Sequence, residues 1–460
     1  MKKQNRRKFI KTAGIAAAGA IAFPYILPSG RLFAQTGHQY AKHVVYVLFA
    51  GGVRQQESVL QNYLDQSQEE PVEGNVMYNL LNGTPPPAKI VYGTTPSGQL
   101  DGSQPIPSIL GNQTLESLGT YFPETRFSSG NTGHYYGLST ILTGRYATGQ
   151  GLRQRPLYPT IFEYLRKHGN IPATKAWFIG NGIGSSTPLL NYSEHPAYGP
   201  KYGANFLAPE VTFSDQGEIH LANAKIYHPE EQLEPIYEMK KFLDQSLNLK
   251  AGTIPGIYNT DEEKQDIKNF IDHMFDKKAA NQIAFPPVSD SGDLRTIGYA
   301  CEVMKWFKPA ISVVNMSSID SCHTSFTSYL RALHRCDHAV GHLWNYIQTQ
   351  VPEMANDTAI VVMPEHGRNL FANPILDQNN WVSYDHNSDQ NSRRIFTLMA
   401  GPQIPSNLKV GSANMDINAS NPIGDATDCV PTIAEILGLK NEVMSAGLLS
   451  PQAQSLFERI

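Results

Sequence analysis

The side chains best suited to chemistry cluster at a few loop positions. Glu365-His366 closes the stretch AIVVMPEHG (359–367). A hard carboxylate oxygen beside a neutral imidazole is what a divalent metal such as zinc or manganese accepts. Asp320 and His323 share a polar loop after the apolar run Ala310 to Val314, and His386 stands between Asp385 and Asn387 in another. A histidine in so polar a setting has no packing reason to be there unless it binds something. In the Ser/Gly/Asn loop of TRFSSGNTGHYYGLSTILTGRY (125–146), Asn131, Thr132 and His134 sit where loop gives way to helix, so backbone N–H groups there suit an anion.

The elements that must position these residues read as an open α/β sheet. HVVYVLFAGG (43–52) is apolar on both faces and ends in paired glycines, the pattern of a central parallel strand running into a site loop. Ala359 to Val362 form a second such strand, delivering Glu365 and His366 at its carboxyl end, where ligands bind in these sheets. Strands are also expected at TKAWFIGNG (174–182), Ala310 to Val314 and IFTLMAGP (395–402). PTIFEYLRKHG (159–169) reads as a helix with Pro159 near its start and Gly169 as its stop, and TDCVPTIAEILGL (427–439) as a closing helix. This rhythm predicts a doubly wound, mostly parallel central sheet flanked by helices on both faces.

From Phe326 to Trp344, apolar residues recur every three or four positions, which marks a long helix. Asp337 falls on its buried stripe and is expected to be a structural carboxylate. His334, His338 and His342 line one face beside Arg331 and Arg335, and a solvated face is expected rather than a metal stripe. Residues 183–300 are rich in Tyr, Pro, Asn and Ser, with helices expected at 233–247 and 261–279. They are read as an insertion or cap over the site, with peripheral helices of the same domain as the alternative.

Composition excludes several classes. The net charge of -4 is spread without long runs, so neither a nucleic acid nor a membrane surface is implied as partner, and 41% hydrophobic residues exclude a disordered chain. The four cysteines, Cys301, Cys322, Cys336 and Cys429, fit no disulfide or zinc spacing and are expected to be free or in the core. Residues 1–34 have a basic start, a short alanine- and glycine-rich apolar run and a candidate cleavage site after Ala34, too short for a comfortable membrane span. Their core, Asn5-Arg6-Arg7-Lys8-Phe9-Ile10-Lys11, resembles the twin-arginine signal. That resemblance implies passage through the twin-arginine export machinery to a periplasmic or secreted location, without a stable membrane anchor.

Taken in order, residues 43–440 resemble the alkaline phosphatase superfamily, which includes sulfatases, nucleotide pyrophosphatases and phosphonate hydrolases. The resemblance rests on LTGRY (142–146), the aspartate-to-histidine loop leading into YLRALHRCD (329–337), and PEHG (364–367) for Asp-His-Gly. A histidine upstream of R-x-F-x-x-x-x-GP and the closing TDCVPTIAEILG (427–438) complete it. It implies one alkaline phosphatase-like domain over 35–460, with 183–300 as the inserted cap. It also implies an exported metal-dependent hydrolase of phosphate, sulfate or phosphonate esters acting on a small-molecule or glycan ester. One or two divalent ions, zinc, manganese or calcium, are implied as cofactors: Asp320, His323 and His386 would form one site, and Glu365 and His366 would belong to a second. Thr132 and His134 are the candidate nucleophiles. The chain departs from the pattern where Gly51 stands in place of a metal-binding aspartate, with Glu57 the nearest carboxylate to compensate. The sulfatase cysteine signature is absent, so formylglycine chemistry is not expected. A degenerate protein with a binding or structural role and no turnover is the alternative.

Overall fold

The computed structural model describes residues 37–64, 71–86, 104–147, 155–180, 189–215, 257–288, 291–387 and 389–460. The signal segment 1–34 and the helix expected at 233–247 lie outside these residues.

β1 (His43–Phe49) is the centre of the molecule. β2 (Asn62–Leu64) and β3 (Pro71–Glu73) form a separate antiparallel ribbon. The main sheet adds β4 (Gly119–Arg126), β5 (Ala176–Gly180), β6 (Asn205–Leu207), β7 (Ile311–Met316), β8 (Thr358–Pro364), β9 (Arg394–Ala400) and β10 (Leu408–Lys409). Their order is β10-β4-β9-β8-β1-β7-β5-β6. β1 pairs in parallel with both β7 and β8. β9 runs antiparallel to β8 and β4, so the sheet is mixed but mostly parallel.

Because β1 is covered on both sides, every second residue belongs to a different core. Val45, Val47 and Phe49 face one layer, and Val44, Tyr46 and Leu48 the other. The first layer is built by α3 (Asp261–Ala279), α4 (Gly292–Phe307) and α5 (Phe326–Gln350), the second by α1 (His134–Thr143), α2 (Ile161–Gly169) and α6 (Cys429–Ile436). The expected helix boundaries match where short-range caps fix them. Thr160 and Glu163 form a capping box at the start of α2, and Thr260 and Glu263 do the same for α3.

Within 183–300, β6 extends the edge of the sheet beside β5. α3 buries Ile267, Phe270 and Met274 in the layer that also holds Trp177 and Phe307. These described parts therefore belong to the sheet and its helix layer.

α5 corrects one expectation. His334 and His338 are each 1% exposed rather than solvated. His334 Nδ1 lies 3.0 Å from the Val76 carbonyl, and its Nε2 accepts from the Ile106 N–H at 3.1 Å. His342 Nε2 lies 2.9 Å from the Ala284 carbonyl. Backbone from residues distant in sequence covers this face of α5, which no helical periodicity reveals. Asp337, as expected, is structural: it accepts from the backbone N–H groups of Asn79 and Leu80 and from the Asn79 side chain. All four cysteines are free and buried.

Candidate metal centre

The carboxyl ends of β1, β7 and β8 converge with the start of α1 and the loop before β9. β8 ends at Pro364, so Glu365 and His366 follow directly and are fully buried. The short turn Ser318–His323 after β7 carries Asp320 and His323. α1 starts at His134, so that ring points from the helix N-terminus toward the same place.

Two groups of ligand atoms form, each within 4.8 Å: His134, Asp320, His323 and His386, and His134, Glu365 and His366. His134 bridges them. Its Nδ1 is 2.6 Å from Glu365 Oε1 and its Nε2 3.3 Å from Asp320 Oδ1. His323 Nε2 lies 3.2 Å from the same Asp320 oxygen, while its Nδ1 is held by Asp385 Oδ1 at 2.5 Å. The His386 ring lies 4.2, 4.6 and 4.9 Å, centroid to centroid, from His366, His134 and His323.

Charge is concentrated here. Burial works against a charged His134 ring, but the Glu365 and Asp320 carboxylates outweigh it and push its pKa up to about 10. Burial likewise opposes ionisation of Glu365, yet His134 and His366 hold it well below the usual carboxylate range. Asp320 is held low in the same way, by His134, His323 and Arg368. Burial, then the charges of His366, His134, Arg368 and His323, push His386 down to about 2. A neutral His386 is a competent ligand, and with Asp320 and His323 it would hold a divalent ion, which would supply Lewis-acid chemistry there.

The donor set fits a divalent ion. Carboxylate and imidazole are the ligands zinc and manganese accept, and the Asp385 carboxylate fixes the orientation of a ligating His323. Glu365 Oε2 and His386 Nδ1 are buried with no hydrogen-bond partner. An orphaned buried polar atom costs about 1–3 kcal/mol, which a cation within the cluster would offset.

A model of the type I phosphodiesterase / nucleotide pyrophosphatase family matches residues 113–423, more than half of the chain and all of this cluster's ligands. The chain belongs to that family. It is thereby a member of the alkaline phosphatase superfamily of phosphate and sulfate ester hydrolases. No curated protein sequence matches it significantly. Among solved structures it is similar to a variant of the alkaline phosphatase PafA, at 11% identity over 92% of this chain and 100% of that one, TM-score 0.44. It is also similar to an alkaline phosphatase superfamily protein from Vibrio parahaemolyticus, at 13% identity over 95% and 76%, TM-score 0.39. The lipoteichoic acid synthase LtaP from Listeria monocytogenes gives 12% identity over 94% and 78%, TM-score 0.38.

Within this phosphodiesterase-family chain, the residues singled out in the sequence, Asp320, His323, Glu365, His366, His386 and His134, do come together. Thr132 lies beside them rather than among them. Its hydroxyl donates to Asn387 Oδ1 at 2.9 Å and lies 3.1 Å from Ser392 Oγ. It lines a cavity of about 190 Å³ with Asn131, Asn387, Asp389, Gln390 and Ser392. Glu57 does not compensate for Gly51: it is fully buried and ion-paired with Arg54. The backbone N–H of Gly51 donates to Glu365 Oε1 instead.

Asp385 and Arg368 escaped the sequence reading. Arg368 is fully buried and reaches Asp320 Oδ1 at 2.8 Å, the Gly51 carbonyl, the Gly52 carbonyl at 3.2 Å and the Tyr384 carbonyl at 2.8 Å. The only available signal was adjacency: each lies within two residues of a candidate ligand histidine.

Proposed function

We propose that the chain is an exported, metal-dependent hydrolase of phosphate or related sulfate or phosphonate esters. The observation that carries this reading is the convergence of Asp320, His323, His386, His134, Glu365 and His366 at one sheet edge, with ligand atoms of Glu365 and His386 orphaned there. Asp320, His323 and His386 would hold a divalent ion. Such an ion supplies Lewis-acid stabilisation of charge on the ester's oxygens. Thr132 is the nucleophile in this reading, because it lines the cavity whereas both His134 nitrogens are engaged by carboxylates. His134 then holds Glu365 and Asp320 in register, and Asn387 orients the Thr132 hydroxyl as its hydrogen-bond acceptor.

The cavity's amide, hydroxyl and carboxylate lining, with the Arg393 guanidinium, supports a small, hydroxyl-rich anionic ester, such as one carried on a sugar, over a nucleobase, which would ask for an aromatic wall. Export rests on the twin-arginine-like start of the sequence. Among the described residues, no helix is long and apolar enough to cross a membrane.

The competing reading, a binding or structural protein without turnover, draws on Gly51 in place of a carboxylate and on a Thr132 hydroxyl with no base in contact. Two measurements on the mature protein, purified without chelators, separate them. Metal content by mass spectrometry should show bound divalent ion, and p-nitrophenyl phosphate, bis(p-nitrophenyl) phosphate and p-nitrophenyl sulfate test turnover. Ion without hydrolysis of any ester selects the binding reading. Absence of ion sinks the metal assignment.

A further inference from the structure

The two groups of ligand atoms have unlike surroundings. Beside Glu365 and His366 the chain presents hydrogen-bond donors and a fixed cation. The Gly51 N–H already occupies Glu365 Oε1, and His134 Nδ1 is on the same oxygen at 2.6 Å. Behind them the buried Arg368 guanidinium spans from the Gly51 carbonyl to Asp320 Oδ1. No carboxylate can be supplied from the end of β1. Gly51 has φ +104°, and a Cβ on it would lie 2.3 Å from the Asp320 nitrogen. A second ion here would have one carboxylate, part-used, next to an Asp320 already bound by a guanidinium that does not deprotonate. The first group, in contrast, has His323 braced by Asp385 and the His386 ring 4.9 Å, centroid to centroid, from it.

Building on the metal reading above, we infer that this centre holds a single divalent ion, bound by Asp320, His323 and His386, and that Arg368 is the positioning residue whose guanidinium fills the place of a second cation. Arg368 neutralises one side of Asp320 and ties the β1 and β8 loop ends together through Gly51 and Gly52. Arg368, His134 and His323 all meet Asp320 at Oδ1, which leaves its Oδ2 to one ion. Because it is wholly buried, it acts through Asp320 and not on substrate.

The test is metal stoichiometry with manganese as probe, read by mass spectrometry and by electron paramagnetic resonance on the full mature chain. The wild type at saturating manganese should bind one equivalent and give the six-line spectrum of an isolated ion. Arg368→Lys, which keeps the charge, should also bind one. Arg368→Met, checked for a cooperative thermal transition, should move toward two equivalents or show a spin-coupled pair. Two equivalents in the wild type overturn this inference while leaving the metal reading intact. No ion in the wild type overturns both. A folded Arg368→Met protein that stays at one equivalent removes Arg368 from the account. Should that variant fail to fold, the wild-type and Arg368→Lys stoichiometries decide the matter.

Discussion

Asp385 Oδ1 sits 2.5 Å from His323 Nδ1 and thereby turns the other ring nitrogen, Nε2, to within 3.2 Å of Asp320. A carboxylate behind an imidazole fixes both its tautomer and its aim. Replacing Asp385 with Ala is expected to weaken metal affinity about 10–100-fold. Isothermal titration with zinc or manganese measures this. Because Asp385 is nearly half-exposed, the thermal midpoint of the metal-free protein should hardly change.

Thr132 and His386 should separate turnover from metal binding. Thr132→Ala removes the hydroxyl of a cavity-lining residue that is not among the grouped ligands, so metal content should hold while ester hydrolysis falls by at least about 10⁴-fold. His386→Ala should lose both. Full activity in Thr132→Ala would move the nucleophile elsewhere.

Gly51 cannot be repaired by mutation. With φ +104° and a Cβ in collision with the Asp320 backbone, Gly51→Ala is expected to cost at least about 1–3 kcal/mol and to displace Asp320. Denaturant melts read the first effect and metal titration the second. Gly51→Asp should therefore be destabilised and should not gain a second ion.

Acid should loosen the fold through α5. His334 and His338, one turn apart, are each driven by burial from 6.5 down to about 4. Unfolded chains take up protons near 6.5, which the folded protein refuses until about 4. The stability from the neutral rings is thus complete above about 6.5 and lost as pH falls toward 4, by at most roughly 3 kcal/mol per ring. Thermal midpoints of the wild type and His338→Gln, compared between pH 7 and 4, should show a shallower decline in the variant.

What sequence determined and what it could not divide along the range of the forces involved. The two-sided apolar runs at Val44–Phe49 and Ala359–Val362 identify buried parallel strands, and the Thr260–Glu263 capping box starts α3, because these signals lie within a few residues of one another. The same local logic puts Glu365-His366 at a strand end and the Asp320/His323 pair in a site loop. The order β10-β4-β9-β8-β1-β7-β5-β6, with β9 reversed, brings together residues as distant as Gly51 and Glu365, 314 apart in sequence. No local pattern encodes that neighbourhood. Only the folded chain, therefore, decided that Asp385 serves His323, that Glu57 spends its charge on Arg54, that His334 and His338 are buried, and that Arg368 stands at the end of β1 where no side chain of Gly51 can reach.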